Sequence, residues 1–277
     1  MIILEILKAI LYGIVEGITE WLPISSTGHL ILLEQWIPLN ASEAFMEMFD
    51  VVIQLGAIVA VIVLFWDRLY PFSRKQTPEK KKEIWTMWFK VVVAIIPSVI
   101  FGYLLDDWMD EHLYNFVVVA ITLILYGVAF ILVERRNAQR TPTVTKMDQI
   151  SYRTALFIGC FQVLSIVPGT SRSGATILGA ILLGLSRTTG ARFSFFLAIP
   201  TMLGASVLKG AKFVLEGSTM TGSEWVCLLV GCVVAFFVSM VTIRQLMDYV
   251  RRHSFSAFGV YRIVLGALVL LNFLIAR

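Results

Sequence analysis

The sequence predicts an all-α polytopic membrane protein, with six transmembrane helices and two re-entrant helical hairpins that form an inverted-topology repeat. Of the 277 residues, 58% are hydrophobic and 15% are charged. A soluble domain carries about 25% charged residues, so this chain has too little polar surface for a cytosolic enzyme. The apolar residues form long unbroken runs, which favour helices over the alternating strands of a β-barrel. Two further apolar stretches are interrupted by glycine, proline and serine.

Six runs are predicted to span the membrane, since a spanning helix needs about 20 apolar residues. They are residues 51–66, 88–105, 116–133, 193–208, 225–243 and 257–276. The runs at 116–133 and 225–243 contain no charged residue and are the clearest. Pro97 and Pro200 fall inside two of the others, where proline is expected to kink a helix.

The charges between the spans predict their orientation, because Lys and Arg are retained on the cytoplasmic side. Residues 67–90 carry seven Lys or Arg, residues 134–153 carry five and residues 244–253 carry three, so these segments are expected inside. Residues 34–50 and 106–115 each carry four acids and no Lys or Arg, so they are expected outside. Residues 209–224 are then also outside, although they include two lysines.

The two interrupted stretches are residues 2–33 and 152–185. The second starts inside and must also end inside, because Arg187 and Arg192 precede a span that exits outward. It is therefore predicted to be a hairpin that enters from the cytoplasm, and by the same parity the first enters from outside. Irregular backbone at membrane depth is tolerated only where protein or water satisfies its polar groups.

This order predicts one integral membrane domain, residues 1–277, built from two halves at about 1–150 and 151–277. Each half has a hairpin and three spans, so the halves have opposite orientations. A short match supports the repeat: Pro23-x-x-Ser26 resembles Pro168-x-x-Ser171. In inverted repeats, sites form at the midplane between broken helices, which directs attention to the two interruptions.

Two carboxylates precede the first interruption. Glu16 and Glu20 are four residues apart, so a helix places them on one face. A buried acid is costly unless it is paired or binds a metal, although an interfacial position near a helix end is the alternative. Carboxylate oxygens suit Mg²⁺ or Ca²⁺, so we expect a divalent cation at Glu16 and Glu20.

Hydroxyl groups and an imidazole follow directly. Ser26 and His29 are candidates for a nucleophile and a base, with Thr27 as a substrate ligand, whereas Ser25 is expected to cap the next helix. The alternative for His29 is a satisfied interfacial histidine. Gln54, four residues into the next span, is as consistent with a structural hydrogen bond as with substrate binding.

The second interruption contains the sequence PGTSRSGAT at residues 168–176. Arg172 is the only basic residue between Arg153 and Arg187, and it lies at the predicted tip of the hairpin. A planar guanidinium among glycines and hydroxyls suits phosphate, and a snorkelling arginine does not fit the buried end of a hairpin. The residues expected to bind phosphate with it are Gly169, Ser171, Ser173 and Thr176.

Three motifs together resemble the bacterial undecaprenyl-diphosphate phosphatase family of the bacitracin-resistance type. They are EGITEWLPISSTGH at residues 16–29, DVVIQLG at 50–56 and PGTSRSGAT at 168–176. The likeness extends over essentially the whole chain in length, motif order and hydropathy. It implies removal of the terminal phosphate from undecaprenyl diphosphate, which recycles the lipid carrier of peptidoglycan and other cell-wall polymers and confers bacitracin resistance. It also implies a divalent metal, a multi-pass location in the bacterial plasma membrane and an active site that opens to the outer face.

Carried over position by position, the family's acidic pair falls on Glu16 and Glu20, its hydroxyl and histidine on Ser26 and His29, and its arginine on Arg172. Arg172 is then expected to hold the diphosphate, which the metal joins to Glu16 or Glu20. Ser26 is expected to attack the terminal phosphorus while His29 handles the proton. Attack by His29 or by an activated water is left open.

A second function considered is a transporter or flippase of a phosphorylated lipid or small anion, because the inverted repeat also serves alternating access. The expected partners are a polyprenyl diphosphate substrate and membrane lipids, and a homodimer is left open. The net charge of +4 is too small for a nucleic-acid-binding protein, so no nucleic-acid partner is expected.

Overall fold

The structure is a computed structural model that describes residues 2–113 and 115–275. Within these residues the regular secondary structure is helical, apart from one isolated β-bridge. In chain order the helices are α1 (Ile2–Thr19), α2 (Ser26–Trp36), α3 (Glu43–Val52), α4 (Gln54–Leu64), α5 (Trp66–Leu69), α6 (Pro78–Leu113), α7 (Phe116–Asn137), α8 (Tyr152–Val163), α9 (Arg172–Leu182), α10 (Arg187–Leu215), α11 (Gly222–Arg252) and α12 (Ser256–Ile275). A single 3-10 turn, Leu164–Ile166, follows α8.

Six segments of the described chain are long and apolar enough to cross a membrane, which confirms the predicted number. They are Glu43–Leu64, Pro78–Leu105, Phe116–Asn137, Arg187–Leu215, Gly222–Arg252 and Ser256–Phe273. Between 22% and 50% of the residues in the most apolar part of each segment are buried inside the fold, which leaves the remainder to meet lipid. The chain is therefore a multi-pass helical membrane protein.

Several helices extend well beyond the apolar runs. The structure corrects two predicted connecting segments, because α6 continues to Leu113 through residues 106–113 and α11 continues to Arg252. In the segment predicted outside at residues 34–50, α3 starts at Glu43 and includes Asp50 near its end. Hydropathy marks only the part of a helix that matches hydrocarbon, whereas the backbone hydrogen bonds continue into polar turns until a cap or loop ends them.

Close helix pairing organises the bundle: α1 packs on α11, α8 on α6, and α7 on α12. Glycines allow the closest approaches. A Cβ atom at Gly13 would lie 2.6 Å from the Gly231 carbonyl oxygen, and one at Gly159 would lie 2.0 Å from the Ala94 carbonyl oxygen. These contacts need small residues, as is typical of helix interfaces in membranes.

Both interruptions are confirmed as breaks between helices. The first separates the end of α1 from the start of α2, and the second separates the turn after α8 from the start of α9. Beside the breaks lies the largest buried apolar cluster, in which the indole of Trp21 meets the ring of Phe195 edge to face at 5.2 Å. The fold thus surrounds two short irregular segments with packed helices.

Candidate active site

The two breaks have the same unusual backbone. Ser25 and Ser171 have φ of 74° and 73°, and they are the only residues other than glycine with positive φ in the described chain. Each serine caps the helix that follows it: Ser25 Oγ accepts from the Gly28 N–H, and Ser171 Oγ accepts from the Gly174 N–H. The predicted capping role of Ser25 is confirmed. Strained backbone of this kind costs about 1–3 kcal/mol and is concentrated at functional sites.

This geometry corrects the sequence match between the breaks. Ser25, rather than Ser26, is the structural counterpart of Ser171, because both cap a helix at the same backbone conformation. The corresponding first helical residues are then Ser26 in α2 and Arg172 in α9. The prolines at 23 and 168 misled the alignment because proline can occupy several positions in an irregular segment.

The breaks are joined by a buried ion pair. Arg172 donates from Nη2 and Nε to Glu20 Oε1, at 2.8 and 3.3 Å, and from Nη1 to the Ser194 carbonyl oxygen at 2.9 Å. The other oxygen of Glu20 accepts from the hydroxyl of Ser26 at 2.7 Å. Three residues that the sequence singled out separately, Glu20, Ser26 and Arg172, therefore form one connected group.

Glu16 lies one helical turn before Glu20 but has a different environment. Its side chain is fully buried, and neither carboxylate oxygen has a hydrogen-bond partner in the described chain. An unpartnered buried acid is costly, which marks Glu16 as a group with a functional requirement. It is the only one of the two predicted metal ligands whose oxygens are free, since both oxygens of Glu20 are engaged.

His29 is not hydrogen-bonded to Ser26. Its Nδ1 lies 2.6 Å from the Ser25 carbonyl oxygen and its Nε2 lies 2.8 Å from the hydroxyl of Tyr261 on α12. Because a carbonyl oxygen only accepts, Nδ1 carries the proton, and in the neutral ring Nε2 accepts from Tyr261. The two rings are nearly parallel, with centroids 5.7 Å apart. No pattern in the sequence pointed to Tyr261.

Two predicted phosphate ligands are buried, and their hydroxyls have partners within the protein. Ser173 Oγ donates to the Glu20 carbonyl oxygen at 2.9 Å, which links α9 to the first break. Thr176 Oγ1 lies 2.9 Å from the Arg172 carbonyl oxygen and 2.6 Å from Ser194 Oγ. In this arrangement both side chains position the site and do not face open space.

The other predicted ligands differ in their surroundings. Gly169 has φ of +85°, and a Cβ atom there would lie 2.2 Å from Thr122 Oγ1, so only glycine fits the second break against α7. Thr27 is half-buried and its hydroxyl has no partner in the described chain. Gln54 donates to the Asp50 carbonyl oxygen, 3.4 Å away, which favours the structural interpretation of this residue.

Arg262 is a site residue that the sequence analysis missed. Its fully buried guanidinium donates to the carbonyl oxygens of Pro23 at 3.1 Å, Gly169 at 2.8 Å and Thr170 at 3.0 Å. One side chain on α12 therefore joins both breaks. A signal was present in the sequence, because an arginine inside an apolar span is a candidate functional residue by default.

Known proteins are similar to this one over almost the whole length of the chain. Residues 9–268 match the family model described as bacitracin resistance protein BacA. A curated undecaprenyl-diphosphatase from Streptococcus pyogenes serotype M1 is 58% identical over 271 residues, which cover 98% of this chain and 97% of the relative. An undecaprenyl-diphosphatase from Latilactobacillus sakei subsp. sakei (strain 23K) is 57% identical over 270 residues, which cover 98% of both.

Proposed function

The chain belongs to the BacA family of bacitracin resistance proteins, and from this premise we propose that it hydrolyses undecaprenyl diphosphate to undecaprenyl phosphate and inorganic phosphate. The observation that carries the proposal is the contact of Glu20, Ser26 and Arg172 across the two breaks. This phosphatase recycles the lipid carrier of peptidoglycan synthesis, and bacitracin resistance follows from the family. It is a hydrolase acting on a diphosphate anhydride.

Several features of the breaks favour an anionic substrate. Ser26 and Arg172 are the first residues of α2 and α9, so two helix N-termini meet at the site. The free N–H groups and the positive dipole ends of helices attract phosphate. Arg172 adds a guanidinium whose fork matches two phosphate oxygens. When substrate binds, Arg172 Nη1 would keep its hydrogen bond to the Ser194 carbonyl oxygen. The N–H groups of Arg172 that now donate to Glu20 would donate to phosphate oxygens instead.

The hydrogen bond between Ser26 and Glu20 suggests the first chemical step. Glu20 takes the proton from Ser26 Oγ while that oxygen attacks the terminal phosphorus, and the bond to the bridging oxygen breaks to release undecaprenyl phosphate. Water then cleaves the phosphoserine and releases inorganic phosphate. The assignment of the base changes from His29 to Glu20, because Glu20 is the acceptor of the Ser26 hydroxyl.

His29 has another role in this scheme. It is three residues after Ser26 and therefore on the same face of α2. Its Nε2 and the Tyr261 hydroxyl form a pair: when Nε2 takes up a proton it donates to the Tyr261 oxygen, which frees the Tyr261 hydroxyl to donate to a phosphate oxygen. We assign this pair to orienting the phosphate and accepting a proton from the attacking water during hydrolysis of the phosphoserine, while Glu20 returns its proton to Ser26 Oγ as that oxygen leaves.

A divalent cation fits the residues present, through Glu16. No group of three His, Cys, Asp or Glu side chains in the described chain is arranged to hold a metal ion, so phosphate oxygens and water would complete the coordination. Glu16 offers two buried oxygens without partners. Mg²⁺ or Ca²⁺ bound there would neutralise negative charge on the diphosphate.

We also propose that each break is the tip of a re-entrant hairpin and that the two halves form an inverted repeat. An offset of 146 residues relates Ser25 to Ser171, which share backbone conformation and capping. The same offset relates Gly13 to Gly159, and both are close-contact glycines. It also relates Glu16 to a glutamine at 162, so only the first half has an acid at this position.

This topology and the basic segments support a plasma-membrane protein whose site opens to the outer face. The substrate's lipid tail would then stay in the bilayer while its diphosphate reaches the breaks. A polar site inside the membrane suits a substrate of this kind, since the enzyme need not extract the lipid.

Phosphate release from undecaprenyl diphosphate by the purified protein in detergent tests the function. We expect turnover that EDTA abolishes and added Mg²⁺ or Ca²⁺ restores. Ser26→Ala should abolish it, whereas Ser218→Ala, in the segment between α10 and α11, should not. Detergent micelles have no compartments, so a transporter or flippase on this scaffold would release no phosphate. Absence of release from the unsubstituted protein would refute the phosphatase.

A further inference from the structure

A separate cavity of about 880 Å³ opens at the end of the bundle where α6 and α10 begin. Its walls come from α5, the first turns of α6, the segment before α8 and the start of α10. None of the active-site residues described above lines it. This end of the protein carries the basic segments that the sequence predicts to be cytoplasmic.

The lining of this cavity is strongly charged, with six basic and four acidic side chains. The basic residues are Arg68, Lys80, Lys82, Lys90, Lys146 and Arg192. Two of the six already have acceptors: Lys80 pairs with Glu83 at 2.8 Å, and Lys90 donates to the Asp148 carbonyl oxygen at 3.0 Å. Lys90 is buried, and its ammonium has two further N–H groups available for a ligand.

Arg192 is the basic residue whose position most needs an anion. Its Nε is buried and has no hydrogen-bond partner in the described chain. The positive charges of Arg68 and Arg251 lie close enough to Arg192 to repel its own charge. By contrast Arg187, on the same helix, makes a two-pronged ion pair with Glu134. A buried guanidinium N–H without an acceptor costs desolvation free energy, which a bound anion would offset.

An exposed ladder of aromatic rings lies on α5, on the start of α6 and on the segment between them, and both helices also line the cavity. The rings follow one another with centroids 4.7 to 6.2 Å apart, and the ladder consists of Trp66, Tyr70, Phe72, Trp85 and Phe89. Trp66 and Trp85 are close neighbours in sequence of the lining residues Arg68 and Thr86. Exposed tryptophan and tyrosine side chains gather at the headgroup level of a bilayer, so the cavity lies where lipid phosphates are.

We propose that this cavity is a second anion site, which binds a phosphate group through Arg192 and Lys90. A guanidinium and an ammonium that line one cavity complement the charge and the several oxygens of a phosphate. The group belongs either to the headgroup of an anionic phospholipid or to free phosphate. Basic pockets between membrane helices bind anionic headgroups in this way, and the aromatic ladder gives a phospholipid direct access.

Binding to the full-length protein in detergent tests the site. Native mass spectrometry and thermal unfolding are measured with added phosphatidylglycerol, phosphatidylcholine or inorganic phosphate. The test variant is Arg192→Gln, which removes a side chain whose Nε has no partner. The matched control is Arg74→Gln, an exposed arginine between α5 and α6 that does not line the cavity. A second test variant, Lys146→Gln, changes an exposed lining residue in a loop.

We expect phosphatidylglycerol to bind about tenfold or more weakly to Arg192→Gln than to Arg74→Gln, as loss of a charge-assisted hydrogen bond predicts. Lys146→Gln should weaken binding by a smaller factor, and phosphatidylcholine should not distinguish the variants. If Arg192→Gln weakens the binding of inorganic phosphate but not of phosphatidylglycerol, the anion site is supported and its ligand is free phosphate. Equal binding of both anions by Arg192→Gln, Lys146→Gln and the control would overturn it.

Discussion

At the scale of single residues, Arg172 contacts one acceptor in the first break and another on α10, and these two contacts need a forked donor. Its guanidinium reaches Glu20 Oε1 and the Ser194 carbonyl oxygen at the same time. Arg172→Lys keeps the charge but not the fork, so we expect kcat/KM for undecaprenyl diphosphate to fall about a hundredfold. The control is Arg251→Lys, at an exposed pair with Asp248. Near-normal turnover in Arg172→Lys would reduce the role of Arg172 to its charge.

Substitutions of the two carboxylates, Glu16 on α1 and Glu20 just after it, should have opposite effects on stability. Glu20→Gln leaves Arg172 without its buried counter-charge, so we expect a lower Tm in detergent and a loss of turnover of about a hundredfold or more. Glu16→Gln removes an unpartnered buried acid, so its Tm should rise while turnover falls by a smaller factor. Metal titrations should show a weaker response to Mg²⁺ in Glu16→Gln. A lower Tm in Glu16→Gln would mean that its carboxylate has a stabilising partner.

At the scale of elements, the second break depends on how closely it lies on α7. Gly169→Ala combines a positive φ with a Cβ atom 2.2 Å from Thr122 Oγ1, so we expect a loss of about 3 kcal/mol in unfolding free energy and little activity. Gly217→Ala is the matched control, because its φ is +75° but its Cβ would meet nothing within 4 Å. That variant should lose about 1 kcal/mol. Equal losses of unfolding free energy in the two variants would show that backbone strain, and not the contact with α7, is the reason that residue 169 must be glycine.

At the scale of the whole molecule, the inverted repeat predicts which segments face each side. In a variant with Cys160, Cys227 and Cys232 replaced by alanine, single cysteines are placed at the exposed positions Glu43, Thr141 and Thr219. An impermeant thiol reagent added to intact spheroplasts should label positions 43 and 219 but reach 141 only after permeabilisation. Position 43 is preferred to position 42 because Ser42 caps α3 and bonds Glu224. Labelling of position 141 from outside would reverse the proposed orientation.

Much of the site was predictable from short segments. Glu16, Glu20, Ser26 and Arg172 each stood out because a polar or charged group in apolar sequence needs a partner or a function. The hydrogen-bond partners of these groups were not predictable. Nothing in the sequence near Ser26 indicated that its hydroxyl would donate to Glu20, or that His29 would turn toward Tyr261, because a loop's dihedral angles decide where neighbouring side chains point.

The sequence by itself determined the helical class, the six spans and the two breaks, because hydropathy and the loss of helical pattern are properties of consecutive residues. Only the tertiary structure decided what the breaks contact. Arg262 is about ninety residues from the second break and almost 240 from the first, yet its guanidinium bonds the backbone of both. The reason is physical: broken helices leave carbonyl groups that must find donors in a medium without water, and those donors come from whichever helix packs alongside.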